Sequence, residues 1–167
     1  MPDTADPFTT CATTVMAQHG AFRADDPLLD GPSAHGIGLG LLSVWIGGPA
    51  DIAMLRALTQ EDAGEILRSL VWVPLGAAQM PAGVDRALFA YALEAGVIQA
   101  LADLQTLLGV PPSGLADAAT LATARARAPE ALASAIRAAH AAWRQRRSPP
   151  FAPAAARQRD QALPYPA

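Results

Sequence analysis

Two stretches in the middle of the chain repeat apolar residues every three or four positions, and each stops at a glycine. Val84, Ala87, Leu88, Tyr91, Ala92 and Ala95 precede Gly96; Ile98, Leu101, Leu104 and Leu108, with the polar Gln105 on the same face, precede Gly109. Positions at that spacing fall on one face of a helix, and a glycine enters the left-handed C-terminal cap without a steric penalty. The pattern predicts two consecutive amphipathic helices, whose stripes need further elements to pack against.

The same local signals supply those elements. Asp6 and Pro7 cap and open a helix with the stripe Phe8, Cys11, Ala12, Val15 and Met16, running to about Gln18 and closed by Gly20. A helix is expected over Leu39 to Ile46, punctuated by Gly47, Gly48 and Pro49, then a short helical segment from Asp51 to Leu58. Thr59 with Asp62 forms a capping-box pattern ahead of Ala63, Ile66, Leu67 and Leu70, in a helix ending near Trp72 because Pro74 cannot continue it. After a turn over Pro111 to Gly114, Asp117 caps a helix through Arg127, and Pro129 opens a last one carrying Leu132, Ile136 and Trp143. Arg23 to Ser33, rich in Asp, Pro and Gly, reads as a loop of the kind that often carries function. No strand is predicted, so the fold class is all-α. Ser148 to Ala167 has too little apolar periodicity for a core element and is expected to be a flexible Pro/Ala-rich tail.

Composition narrows the function. The 167 residues are 51% hydrophobic and 16% charged, which suits one globular domain. A formal net charge of -3 lacks the basic footprint that nucleic acid requires. All 12 basic residues are arginine, which excludes Schiff-base chemistry, pyridoxal phosphate attachment and a P-loop lysine. The lone Cys11 lies on the first apolar stripe, where packing explains it. Met1 to Phe8 lacks the features of a secretory signal, and Ile37 to Ile46 is far shorter than the roughly 20 residues of a membrane helix, so the expectation is cytoplasmic synthesis without membrane insertion.

The order of landmarks from about Phe8 to Thr120 resembles glycoside hydrolase family 108, the phage endolysins and secretion-associated muramidases. Gln18-His19-Gly20 stands where that family has Glu-Gly-Gly. Asp26-Pro27 matches its Asp-Pro loop, and Ser33-Ala34-His35-Gly36-Ile37 its Thr-x-x-Gly-Ile turn. Leu58-Thr59-Gln60-Glu61-Asp62-Ala63, Trp72-Val73-Pro74 and Pro81-Ala82-Gly83-Val84-Asp85 follow in family order. Phe89, Gly96, Leu104, Gln105, Leu108, Gly109, Val110, Gly114 and Thr120 hold packing positions of its peptidoglycan-binding half. Ala90, Glu94 and Ser113 depart from its polar ones, and Asp117 stands where its last motif has a glycine.

The resemblance implies a lysozyme-like helical half over residues 7–80 and a helical peptidoglycan-binding half over 81–147, with peptidoglycan glycan strands as partner. It also implies that the general acid is lost. Glycoside cleavage needs a carboxylic acid to protonate the leaving oxygen, whereas the Gln18 amide has no such proton yet still bonds sugar hydroxyl and acetamido groups. The expectation is therefore a recognition protein with impaired hydrolysis, no catalytic set intact, and Gln18, Asp26, Ser33 and Trp72 as substrate-binding residues. Trp45 and Trp143 are expected in the core, and the Arg144, Arg146 and Arg147 cluster is expected to complement the negative end of the last helix. His19, His35 and His140 show no metal-ligand spacing, and neither metal nor cofactor is predicted. Two alternatives stay open. One is an active hydrolase with its acid moved to Asp25, Asp26 or Asp30, with His19 adjacent. The other is a structural or interaction component of a phage-like particle, in contact with lysis or secretion partners.

Overall fold

The computed structural model describes residues 6–147. The order is α1 (Pro7–His19), β1 (Arg23–Asp26), β2 (Gly31–Ala34), β3 (Ile37–Gly38), α2 (Leu39–Ile46), α3 (Ile52–Ala57), α4 (Gln60–Leu67), α5 (Val84–Ala95), α6 (Val97–Leu108), α7 (Ala118–Arg125) and α8 (Pro129–Arg147). The domain is predominantly helical, as expected. The tail expected over Ser148 to Ala167 lies outside the described residues.

Helix ends fall where the caps put them. The Asp6 carboxylate accepts from Phe8 N and Pro7 occupies the first turn of α1, while Thr59 and Asp62 make both bonds of the capping box that opens α4. Asp51 caps α3 and Asp117 caps α7, each accepting from a backbone N–H of the first turn. Beyond α4 the helix widens over Arg68–Trp72, with Val73 N bonded to Arg68 O at 3.0 Å, before Pro74 ends it.

One departure from expectation lies between α1 and α2. The Arg23 to Ser33 segment is not simply a loop, since β1, β2 and β3 form a small antiparallel sheet in that order. Asp30 and His35 both take positive φ, at 55° and 52°, and Gly36 follows at 85°. His35-Gly36 thus makes a two-residue turn, left-handed at both positions, between the paired residues Ala34 and Ile37.

One hydrophobic core runs through both halves expected from sequence. α8 lies along α5 and α6, α5 also packs on α6, and α1 packs on α4 and α5. Phe8, Trp72 and Phe89 meet edge to face at centroid distances of 5.6, 5.7 and 6.3 Å, tying α1, the end of the α4 segment and α5 together. Such aromatic pairs add about 0.5–1.5 kcal/mol each beyond their burial. In the C-terminal part, Nε2 of fully buried Gln105 lies 2.8–2.9 Å from Ser113 Oγ, Leu115 O and Thr120 Oγ1, sharing its two N–H donors among them, and Oε1 accepts from Gly114 N, which satisfies the turn between α6 and α7.

Candidate functional site

α1 ends at the sheet, and the side chains of its last turn diverge. Gln18 is exposed, whereas His19 is 2% exposed and turns toward β1. Asp26, at the end of β1, has no exposed surface. Its Oδ2 lies 2.6 Å from His19 Nδ1 and accepts from Ser33 Oγ at 2.8 Å, while its Oδ1 accepts from Leu28 N at 3.0 Å. Burial works to raise the Asp26 carboxyl, but the bonds from His19, Ser33 and Leu28 together hold it below its ordinary value. An ionised carboxylate only accepts, so His19 carries its proton on Nδ1. The His19–Asp26–Ser33 set clamps the hairpin to the end of α1.

Gln18 and His19 form one wall of a groove of about 290 Å³, with Val15 beside them. The opposite wall comes from Ala90, Leu93 and Glu94 of α5 and from Arg137, His140, Ala141 and Arg144 of α8. The Glu94 side chain is only 6% exposed. Its Oε2 accepts from His140 Nε2 at 3.0 Å and from Arg144 Nε at 2.7 Å, and its Oε1 accepts from the second arm of the Arg144 guanidinium. Desolvation pushes the Glu94 carboxyl up, yet the His140 and Arg144 contacts outweigh it and keep the group below the ordinary glutamate range. Tyr91 stacks on His140 at 4.7 Å and donates its hydroxyl to Asp103, with burial and then that bond raising the phenol. Helices α5 and α8 are thereby fixed to each other along the groove.

Of the residues singled out from sequence, Gln18 faces the groove, and Asp26 and Ser33 lie buried behind its His19 wall. Trp72 does not belong with them. At 3% exposure it is held in the aromatic core by Phe8 and Phe89, which corrects its assignment to a binding cleft. Trp45 is corrected in the opposite sense: it is 41% exposed, because α2 is apolar all round and buries only Leu42. Trp143 packs against the core as expected. Asp25 is exposed, and Asp30 is exposed and paired with Arg147. Arg144 and Arg147 therefore have specific carboxylate partners rather than only the end of α8 to complement.

Sequence reasoning left Arg137 and the pairing of Glu94 with His140 and Arg144 unassigned. Their one local signal is the spacing of Arg137, His140 and Arg144 on a single face of α8; the partner carboxylate is remote in sequence. Among the described residues, no three His, Cys, Asp or Glu side chains converge as a metal site, and no helix is long and apolar enough to cross a membrane.

These features define a helical domain in which the first helix, braced by a small antiparallel hairpin sheet, faces an α5–α8 wall across a groove lined by apolar and charged side chains. No protein-family model matches the chain, nor does any curated protein. Among solved structures, SagA of Brucella abortus matches at 32% sequence identity and a TM-score of 0.77, over 83% of this chain and 79% of that one. The chain belongs to the same family as SagA.

Proposed function

We propose that this protein recognises peptidoglycan on a muramidase-like fold, holding a glycan strand in the groove beside Gln18 with hydrolysis strongly impaired. The observation that carries the reading is Gln18 itself. It is exposed at the end of α1 and lines the groove, at the position where the resemblance to muramidases calls for the proton-donating glutamate. An amide there retains hydrogen bonds to sugar hydroxyl and acetamido groups and gives up the proton.

The surrounding carboxyls support the loss. Glu94 is held ionised by His140 and Arg144, and Asp26 is buried and ionised against His19 and Ser33. A general acid must carry its proton at the working pH and reach the leaving oxygen, and neither group does so. Asp30 is engaged by Arg147, which speaks against a simple transfer of the acid to the hairpin.

Pull-down on purified sacculi, with release of soluble fragments measured in the same tubes, tests the reading. The expected outcome is retention of the wild-type protein with little release, and release restored by Gln18→Glu. A second reading, as an interaction component of a larger particle, draws on the exposed apolar side chains Val44, Trp45, Ile46, Ile52 and Met54 of α2 and α3. It predicts neither retention nor release.

A further inference from the structure

His19 has a second ring nitrogen that the Asp26 clamp does not use. Among the described residues no buried side-chain nitrogen or oxygen lacks a hydrogen-bond partner, and Nε2 of His19 bonds to none of them. Nε2 is therefore not sealed in the interior. The residue is 2% exposed and is one of those that line the groove. The ring cannot easily turn away, because Nδ1 is fixed 2.6 Å from a carboxylate that is itself held by Ser33 and Leu28. A carboxylate behind an imidazole selects the tautomer and directs the free nitrogen outward, the arrangement in which histidine most often transfers protons.

We infer that His19 is a catalytic proton-transfer residue of the groove, supplying to a glycosidic oxygen the proton that Gln18 lacks. The inference rests on the reading of the groove as a glycan site. In the imidazolium form, Nε2–H gives its proton to the bridging oxygen as the bond from that oxygen to the anomeric carbon breaks. The bonding pair leaves with the oxygen. Water adds to the oxocarbenium carbon and returns a proton to Nε2, so the ring ends as it began.

The charged and titratable groups around the ring are Asp26 on β1, His35 in the β2–β3 turn, Glu94 on α5, and Arg137, His140 and Arg144 on α8, with Arg23 bonded to the carbonyl of Gln18. Glu94 is occupied by His140 and Arg144, which leaves Asp26 as the carboxylate bonded to His19. A ring nitrogen held on a packed helix end has less freedom to approach a leaving oxygen than a glutamate on a flexible stem, so turnover carried by His19 is slow.

The test uses the full chain and labelled sacculi, with release followed from about pH 5 to 8, because an acid role requires the protonated ring. His19→Asn keeps a side-chain donor for Asp26 and removes Nε2; Gln18→Glu serves as the reference for rapid release. Wild-type release is expected to be about 10²–10⁴-fold slower than that of Gln18→Glu, to decline as pH rises, and to fall about tenfold or more in His19→Asn while that variant is still retained on sacculi. Equal release by wild type and His19→Asn, with both retained on sacculi, overturns the role of His19 and leaves the glycan site standing. So does wild-type release that is flat or rises with pH, a readout that needs no variant to fold. Failure of the wild type to bind sacculi overturns the glycan site and the inference together.

Discussion

Replacing Asp26 with alanine removes the acceptor for three donors at once: His19 Nδ1 at 2.6 Å, Ser33 Oγ at 2.8 Å and Leu28 N at 3.0 Å. His19 and Ser33 are 2% and 0% exposed, so the donors they lose to Asp26 have no ready access to bulk water. Each buried donor left unsatisfied costs about 1–3 kcal/mol, and the third bond joins the same network, so the terms do not simply add. A total of about 3–5 kcal/mol follows. For a chain of this size each kcal/mol shifts Tm by about 2–4 °C, which gives a fall of about 6–20 °C in a thermal scan at neutral pH. The acid limb supplies a sign. Folding lowers the Asp26 carboxyl, so its stabilisation is fully present above the unfolded-state value and lost as pH falls through the lower folded-state value. The Tm gap between wild type and Asp26→Ala should stay constant down to about pH 5 and narrow below about pH 4. A fall of less than about 2 °C, or a gap that widens toward acid, would refute the account of the clamp.

Three further perturbations probe the parts around it. Trp72→Ala should cost about 3–5 kcal/mol as a lower urea midpoint, while the folded variant still binds sacculi, because Trp72 is a core residue and not a cleft wall. Glu94→Ala strands His140 and Arg144. Breaking a buried pair costs about 3–5 kcal/mol, but Arg144 is 45% exposed and turns to water, so a loss of about 2–3 kcal/mol is expected in urea unfolding at pH 7. That loss should shrink as pH falls through the lowered carboxyl range of the folded protein. Gly36→Ala combines φ of 85° with a Cβ only 2.7 Å from Val15 Cγ1, and should lower stability by about 2–4 kcal/mol by the same measurement.

The helices were legible because their ends are local chemistry. Asp6 with Pro7, Thr59 with Asp62, Asp117 ahead of α7, and Gly96 and Gly109 each act within a turn of the helix they bound. The hairpin was harder to see. Arg23–Asp26 and Gly31–Ala34 lack β-branched and aromatic residues, so propensity is silent, and what holds them is a carboxylate bonded to a histidine on α1. The two-residue turn at His35-Gly36 was the available clue. Trp72 next to Pro74 looked like a rim residue because its partners, Phe8 and Phe89, come from other helices. The position of Gln18 was read correctly as a helix end, but its opposite wall depends on how α5 meets α8. No local pattern encodes Glu94 accepting from His140 and Arg144.

The central claim is that the groove binds glycan and has lost its acid at Gln18. Wild type and Gln18→Glu should be incubated in parallel with labelled sacculi, with bound protein and soluble fragments measured together over time. The account predicts that both are retained and that Gln18→Glu releases fragments at least about a hundredfold faster than the wild type. Release by the wild type at a rate matching Gln18→Glu, or no retention of either protein, would contradict it.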